Sequence, residues 1–98
     1  SEQGSRIHQQ GDKEIWAKKL SNGKTAVLLL NRNPVKSTSI SLELSDIGIT
    51  TKASINDVYK CKDLGIFSGV FTQHIFPHSA LFILIEPEKS FCENLFQA

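Results

Sequence analysis

His74 and His78 stand four residues apart, a spacing that on a helix would turn two imidazoles toward one metal ion. Pro77 lies between them, in a stretch that reads as strand and then turn. The spacing therefore loses its metal-binding meaning: His74 is expected at a solvent-facing strand position and His78 in a turn. Cys61 and a histidine could form a thiolate dyad, but no sequence signature supports one. Asp57 interrupts the inward alternation of its strand. It could be half of a glycosidase carboxylate pair, with Glu43, Asp46 or Asp63 as the other half. The expected reading is structural: a carboxylate that accepts backbone N–H bonds beside a turn, or pairs with a Lys or Arg. Trp16, Tyr59 and the six phenylalanines could supply a sugar-stacking platform, although aromatics on the strands of a small β-domain are expected in the core. The sequence has no glycine-rich phosphate loop, no Gly-x-Ser-x-Gly elbow, no Cys-x-x-Cys and no metal-ligand spacing. No catalytic, cofactor-binding or metal-binding residues are expected.

The elements that must position these residues are short strands separated by turn residues. Glu14 to Leu20 alternates, with Trp16 and Leu20 on one face and Ile15 and Ala17 on the other. Asn22-Gly23 between apolar runs predicts a tight hairpin of type I′. Thr25 to Asn31 is apolar on both faces, as a central strand would be. Pro34 marks a loop, and Ser37 to Leu44 alternates with Thr38, Ile40, Leu42 and Leu44 inward. Ser45-Asp46-Ile47-Gly48 reads as a tight or helical turn that Ser45 or Asp46 could cap and Gly48 terminate. From Ala53 to Leu84 the pattern is strand, polar turn, strand, Pro77-His78 turn and strand, which reads as a meander with Ala53, Ile55 and Tyr59 sharing a face. Ala80 to Glu86 is again apolar on both faces. No helix-length segment carries a 3.6-residue period, so the expected fold is all-β: an antiparallel, Greek-key type β-sandwich of about seven or eight strands.

Composition narrows the partners. The 98 residues hold one domain with one modest core. A net charge of +1, with eleven scattered Lys and Arg, carries no nucleic-acid footprint. The apolar runs, such as Ala26 to Leu30, are far short of the roughly 20 residues of a membrane span, so no membrane partner is expected. Cys61 and Cys92 permit one disulfide at most, and a turn residue with a tail residue is not a favoured pair. No Asn-x-Ser/Thr acceptor reports an exported compartment.

The strings Ile55-Asn56-Asp57-Val58-Tyr59, Lys62-Asp63-Leu64-Gly65 and Ile75-Phe76-Pro77-His78-Ser79 resemble the C-terminal β-domain of the α-galactosidase and α-N-acetylgalactosaminidase family, glycoside hydrolase family 27. Gln3-Gly4 with Arg6-Ile7, the stretch Glu14 to Leu20, Gly23, Ala26-Val27, Leu30-Asn31-Arg32 and Ser45 to Ile49 fit the same pattern in order. Tyr59 stands where the family usually has Trp, Lys19 where it has Pro, Ser79 where it has Gly, and Cys61 where His is frequent. The Ser79 departure asks for a turn without positive φ there, or for some tolerated strain. The resemblance implies a parent that is a retaining exo-glycosidase for terminal α-galactosyl residues, with two catalytic aspartates on a (β/α)₈ barrel preceding this domain. No residue here matches either catalytic motif, and Asp57 matches a β-domain position. Residues 1–10 are then expected as a remnant of the link to the barrel (with Arg6 to Gln9 alternatively a short strand), 11–87 as the sandwich and 88–98 as a tail. The implied partners are that barrel, carbohydrate through the barrel alone, and other copies in a homo-oligomer of the parent. The implied compartment is secreted, vacuolar or lysosomal. Such a domain would carry an apolar patch where the barrel docks. The alternative is a free-standing carbohydrate-binding or protein-interaction module.

Overall fold

The computed structural model describes residues 4–88 and contains eight strands. These are β1 (Ser5–Gln10), β2 (Lys13–Lys19), β3 (Thr25–Asn31), β4 (Thr38–Glu43), β5 (Lys52–Asp57), β6 (Lys62–Ser68), β7 (Val70–Ile75) and β8 (Ser79–Pro87). A six-stranded sheet in the order β1-β2-β3-β8-β5-β6 faces a two-stranded sheet, β4-β7, and every pairing is antiparallel. The expected antiparallel sandwich is what forms. The two strands that are apolar on both faces, β3 and β8, lie side by side in the middle of the large sheet.

The core lies between the sheets. Ile15, Val27, Leu29, Ile55, Ile83 and Ile85 point into it from the large sheet, and Ile40, Leu42, Phe71 and Ile75 from the small one. Leu44 and Ile47, from a short 3₁₀ turn over Leu44–Ile47, help to cover it. That turn is a helical turn ended by Gly48 at φ 81°, as the sequence suggests, but neither Ser45 nor Asp46 caps its start. Glu43 holds the N-cap position without a side-chain hydrogen bond.

Of the two readings of Arg6 to Gln9, the strand is the one that forms, and three other local features differ from the sequence reading. Ser5–Gln10 is the edge strand β1, paired with β2 through a bulge between Arg6 and His8. The sheet thus begins before residue 11. The Asn22-Gly23 turn is not type I′, because Gly23 alone has positive φ (85°). The Gly23 amide donates to the Leu20 carbonyl at 3.2 Å and the Leu20 amide to the Lys24 carbonyl at 2.8 Å, giving a three-residue loop with glycine at its left-handed position. The stretch from Ala53 to Leu84 is not a meander: β5 and β6 pair as a hairpin, but β7 crosses to the other sheet and β8 returns between β3 and β5. The crossing is made at Gly69, with φ 79°, which joins β6 to β7 with no other intervening residue. Only glycine takes such a left-handed corner without a Cβ penalty. Finally, Tyr59 does not share the inward face of Ala53 and Ile55, because β5 ends at Asp57 and Tyr59 lies in the exposed turn after it.

The left-handed position of the Pro77 turn falls on His78, at φ 53°, while Ser79 is not in that region. The departure from glycine at Ser79 is therefore accommodated one residue earlier, at a residue type that enters the left-handed region more readily than most. Cys92 and the tail from residue 89 lie outside the described residues.

Candidate functional site

Directly opposed residues of an antiparallel sheet share a face, so the register fixes what each sheet turns outward. The small sheet presents Ser39, Ser41 and Glu43 from β4 beside His74, Thr72 and Val70 from β7. The Ser41 and Thr72 hydroxyls hydrogen-bond at 2.8 Å. This is a solvated face. The large sheet presents three cross-strand rows: Arg6–Trp16–Leu28–Phe82, Lys18–Ala26–Leu84–Asn56 and Glu14–Leu30–Ala80. Seven apolar side chains thus sit contiguously on an outward face that no element among the described residues covers. Tyr59, 81% exposed, extends the face by packing its ring at 5.9 Å from that of Phe82.

Trp16 is held in place from its own face. Its indole Nε1 donates to Glu14 Oε1 at 2.9 Å, and Arg32 Nε donates to Glu14 Oε2. The Arg6 guanidinium lies 5.9 Å from the Trp16 ring centre, within cation–π range. Glu14 is only 4% exposed, yet both its oxygens are satisfied. The Arg32 hydrogen bond, followed by that from Trp16, holds its carboxyl below the ordinary glutamate pKa against the opposing effect of burial. Sequence reading placed Trp16 opposite the Ile15 face correctly but gave Glu14 and Arg32 no role. The available signal was a carboxylate two residues before a tryptophan on one strand face, which brings them side by side.

The residues first singled out for chemistry are scattered. Asp57 is inward and 6% exposed, and its Oδ1 accepts the Lys60 amide at 3.0 Å, the structural role expected of it. Asp63 accepts the Gly65 amide at 2.8 Å, and Glu43 and Asp46 are exposed on other elements. His74 faces solvent on β7 with its ring edge-on to Phe76, and the His78 amide donates to the Asn33 carbonyl. Cys61 is an exposed free thiol in the β5–β6 turn, with φ 50°. No group of three or more metal-ligating side chains occurs among the described residues.

An open groove of about 480 Å³ runs between the β5–β6 turn and the start of β8, flanked by Tyr59, Phe76 (67% exposed) and Phe82, with Gln73 and Lys62 among its polar groups. Tyr59 is tilted 58° to Phe82, and Phe76 stands at 90° to His74, so neither pair lies flat as a sugar-stacking platform would.

Comparisons with known proteins agree with this architecture. The family described as the alpha galactosidase C-terminal beta sandwich domain matches residues 10–85. An alpha-galactosidase from Cyamopsis tetragonoloba is 30% identical over 89 residues, which are 89% of this chain and 21% of that protein. An isomalto-dextranase from Arthrobacter globiformis is 28% identical over 79 residues, 80% of this chain and 12% of that protein. Among solved structures, a GH27 β-L-arabinopyranosidase from Geobacillus stearothermophilus superposes with a TM-score of 0.83 at 20% identity, over 89% of this chain and 20% of that one. The chain thus spans about a fifth or less of the length of these proteins.

Proposed function

Because the chain belongs to the C-terminal β-sandwich domains of the glycoside hydrolase family 27 α-galactosidases, we propose that it serves such an enzyme as a non-catalytic flank, docked on the (β/α)₈ barrel through the outer face of its large sheet. The observation that carries this reading is the contrast between the two outward faces. One is polar and bonds to itself through Ser41 and Thr72; the other sets Trp16, Leu28, Leu30, Phe82 and Leu84 side by side. An uncovered apolar face of this kind marks a contact surface. Burying it removes apolar area from water at roughly 25 cal/mol per Å², so docking stabilises both partners.

The parent would hydrolyse terminal α-galactosyl residues, with nucleophile and acid/base on the barrel. Sugar choice would also lie there, which fits the recurrence of this sandwich in proteins named as an alpha-galactosidase, a β-L-arabinopyranosidase and an isomalto-dextranase. Two assays test the reading. The 98-residue chain is expected to leave a chromogenic α-galactoside intact, whereas the barrel-bearing chain cleaves it. In the barrel-bearing chain, Phe82→Asp is expected to shorten the half-life of thermal inactivation several-fold while KM stays unchanged. A raised KM with an unchanged half-life would move the face from docking to substrate binding.

A further inference from the structure

We propose that the flank of the docking face around Trp16 recognises a carboxylate on the surface it meets, with Arg6 and Arg32 as the receiving cations. This inference rests on the docking reading and names the chemistry of its partner. The β1–β3 side of the face carries three cations, Arg6, Lys18 and Arg32, against Glu14 and, beside Arg32, Asp12, whose Oδ2 accepts from the Asn33 side chain at 3.0 Å. Glu14 is only 4% exposed and already accepts from Trp16 on one oxygen and Arg32 on the other, so it does not present its charge to a partner. Arg32 commits only its Nε, its side chain is 59% exposed, and neither Nη group has a protein acceptor among the described residues. A guanidinium held at one edge presents the planar fork that binds carboxylate bidentately. Arg6 adds a second guanidinium, 5.9 Å from the Trp16 ring centre.

The occupant is the barrel of the same parent. About four-fifths of the relatives' length lies outside the part this chain matches, and an excess of cations beside an apolar centre is complemented by an acidic rim. A tryptophan fixed by a hydrogen bond, with arginines beside it, is also the composition from which strongly contributing contacts are built.

The test uses the barrel-bearing chain and three variants: Arg6→Gln, Arg6→Glu and Phe82→Asp. Thermal inactivation is followed at low salt and at about 1 M, where screening shortens to roughly 3 Å. Arg6→Glu is expected to shorten the half-life several-fold more than Arg6→Gln at low salt, with the difference collapsing at high salt. Phe82→Asp is expected to shorten it at both. The 98-residue chain carrying the same Arg6 variants serves as control, and its own melting should separate Gln from Glu far less. If Gln and Glu are equivalent in the long chain, or equally separated in the short one, the carboxylate inference is overturned and docking stands on Phe82→Asp. If Phe82→Asp is also silent, the docking reading itself falls.

Discussion

Asn31 shows how much one side chain can do when it is placed between two sheets. It is fully buried at the end of β3, and its Nδ2 donates to the carbonyls of Lys36, Ile75 and Phe76 at 2.8, 3.2 and 3.2 Å. Its Oδ1 accepts the Asn33 amide at 3.0 Å. One amide group thus ties the large sheet to the end of β7 and to the Pro34 loop. Asn31→Leu removes these bonds and strands buried carbonyls, so urea unfolding should show a loss of about 2–3 kcal/mol. Glu14 makes a pH prediction. Its folded pKa lies below the ordinary 4.5, so its stabilising contribution is complete above that value and is lost as pH falls through the folded pKa. Glu14→Gln should therefore give a shallower acid limb in stability against pH, with no change of slope near neutrality. The role of Asn31 was not readable beforehand, because it ends an apolar run like any strand-terminal polar residue and its partners lie up to 45 residues away.

At the scale of elements, most of the strands were legible because a half-buried strand writes its faces as alternation. Ser37 to Leu44 is the clearest instance: Ile40 and Leu42 are buried while Ser39, Ser41 and Glu43 are exposed. The double-faced apolar runs of β3 and β8 announced their central places. What periodicity cannot carry is which strands pair. The change of sheet between β6 and β7 depends on Gly69, whose φ of 79° has no counterpart in hydropathy. Without that corner the run from β5 to β8 reads as a meander. Gly69→Ala tests the corner, since an added Cβ meets nothing within 4 Å and only the backbone conformation opposes it. A loss of about 1–2 kcal/mol is expected in chemical denaturation, with partial recovery in Gly69→Asn. An unchanged midpoint in Gly69→Ala would mean that the corner does not need its left-handed geometry. The candidate site was legible only in outline: a resemblance implied an apolar docking patch, but the register was needed to bring Trp16, Leu28 and Phe82 into one row.

For the whole molecule, the proposed docking gives the two outward faces opposite roles, and the 98-residue chain can be compared with its barrel-bearing form. Oxidative footprinting of aromatic and histidine side chains reads the comparison directly, because the reagent labels what water can reach. Trp16, Tyr59 and Phe82 report on the large sheet, and His74 on the small one. Docking through the large sheet should protect the three aromatics in the barrel-bearing chain and leave His74 labelled to the same extent in both. Protection of His74 with unchanged labelling of Trp16 and Phe82 would contradict the account, and would place the barrel against the other side of the sandwich.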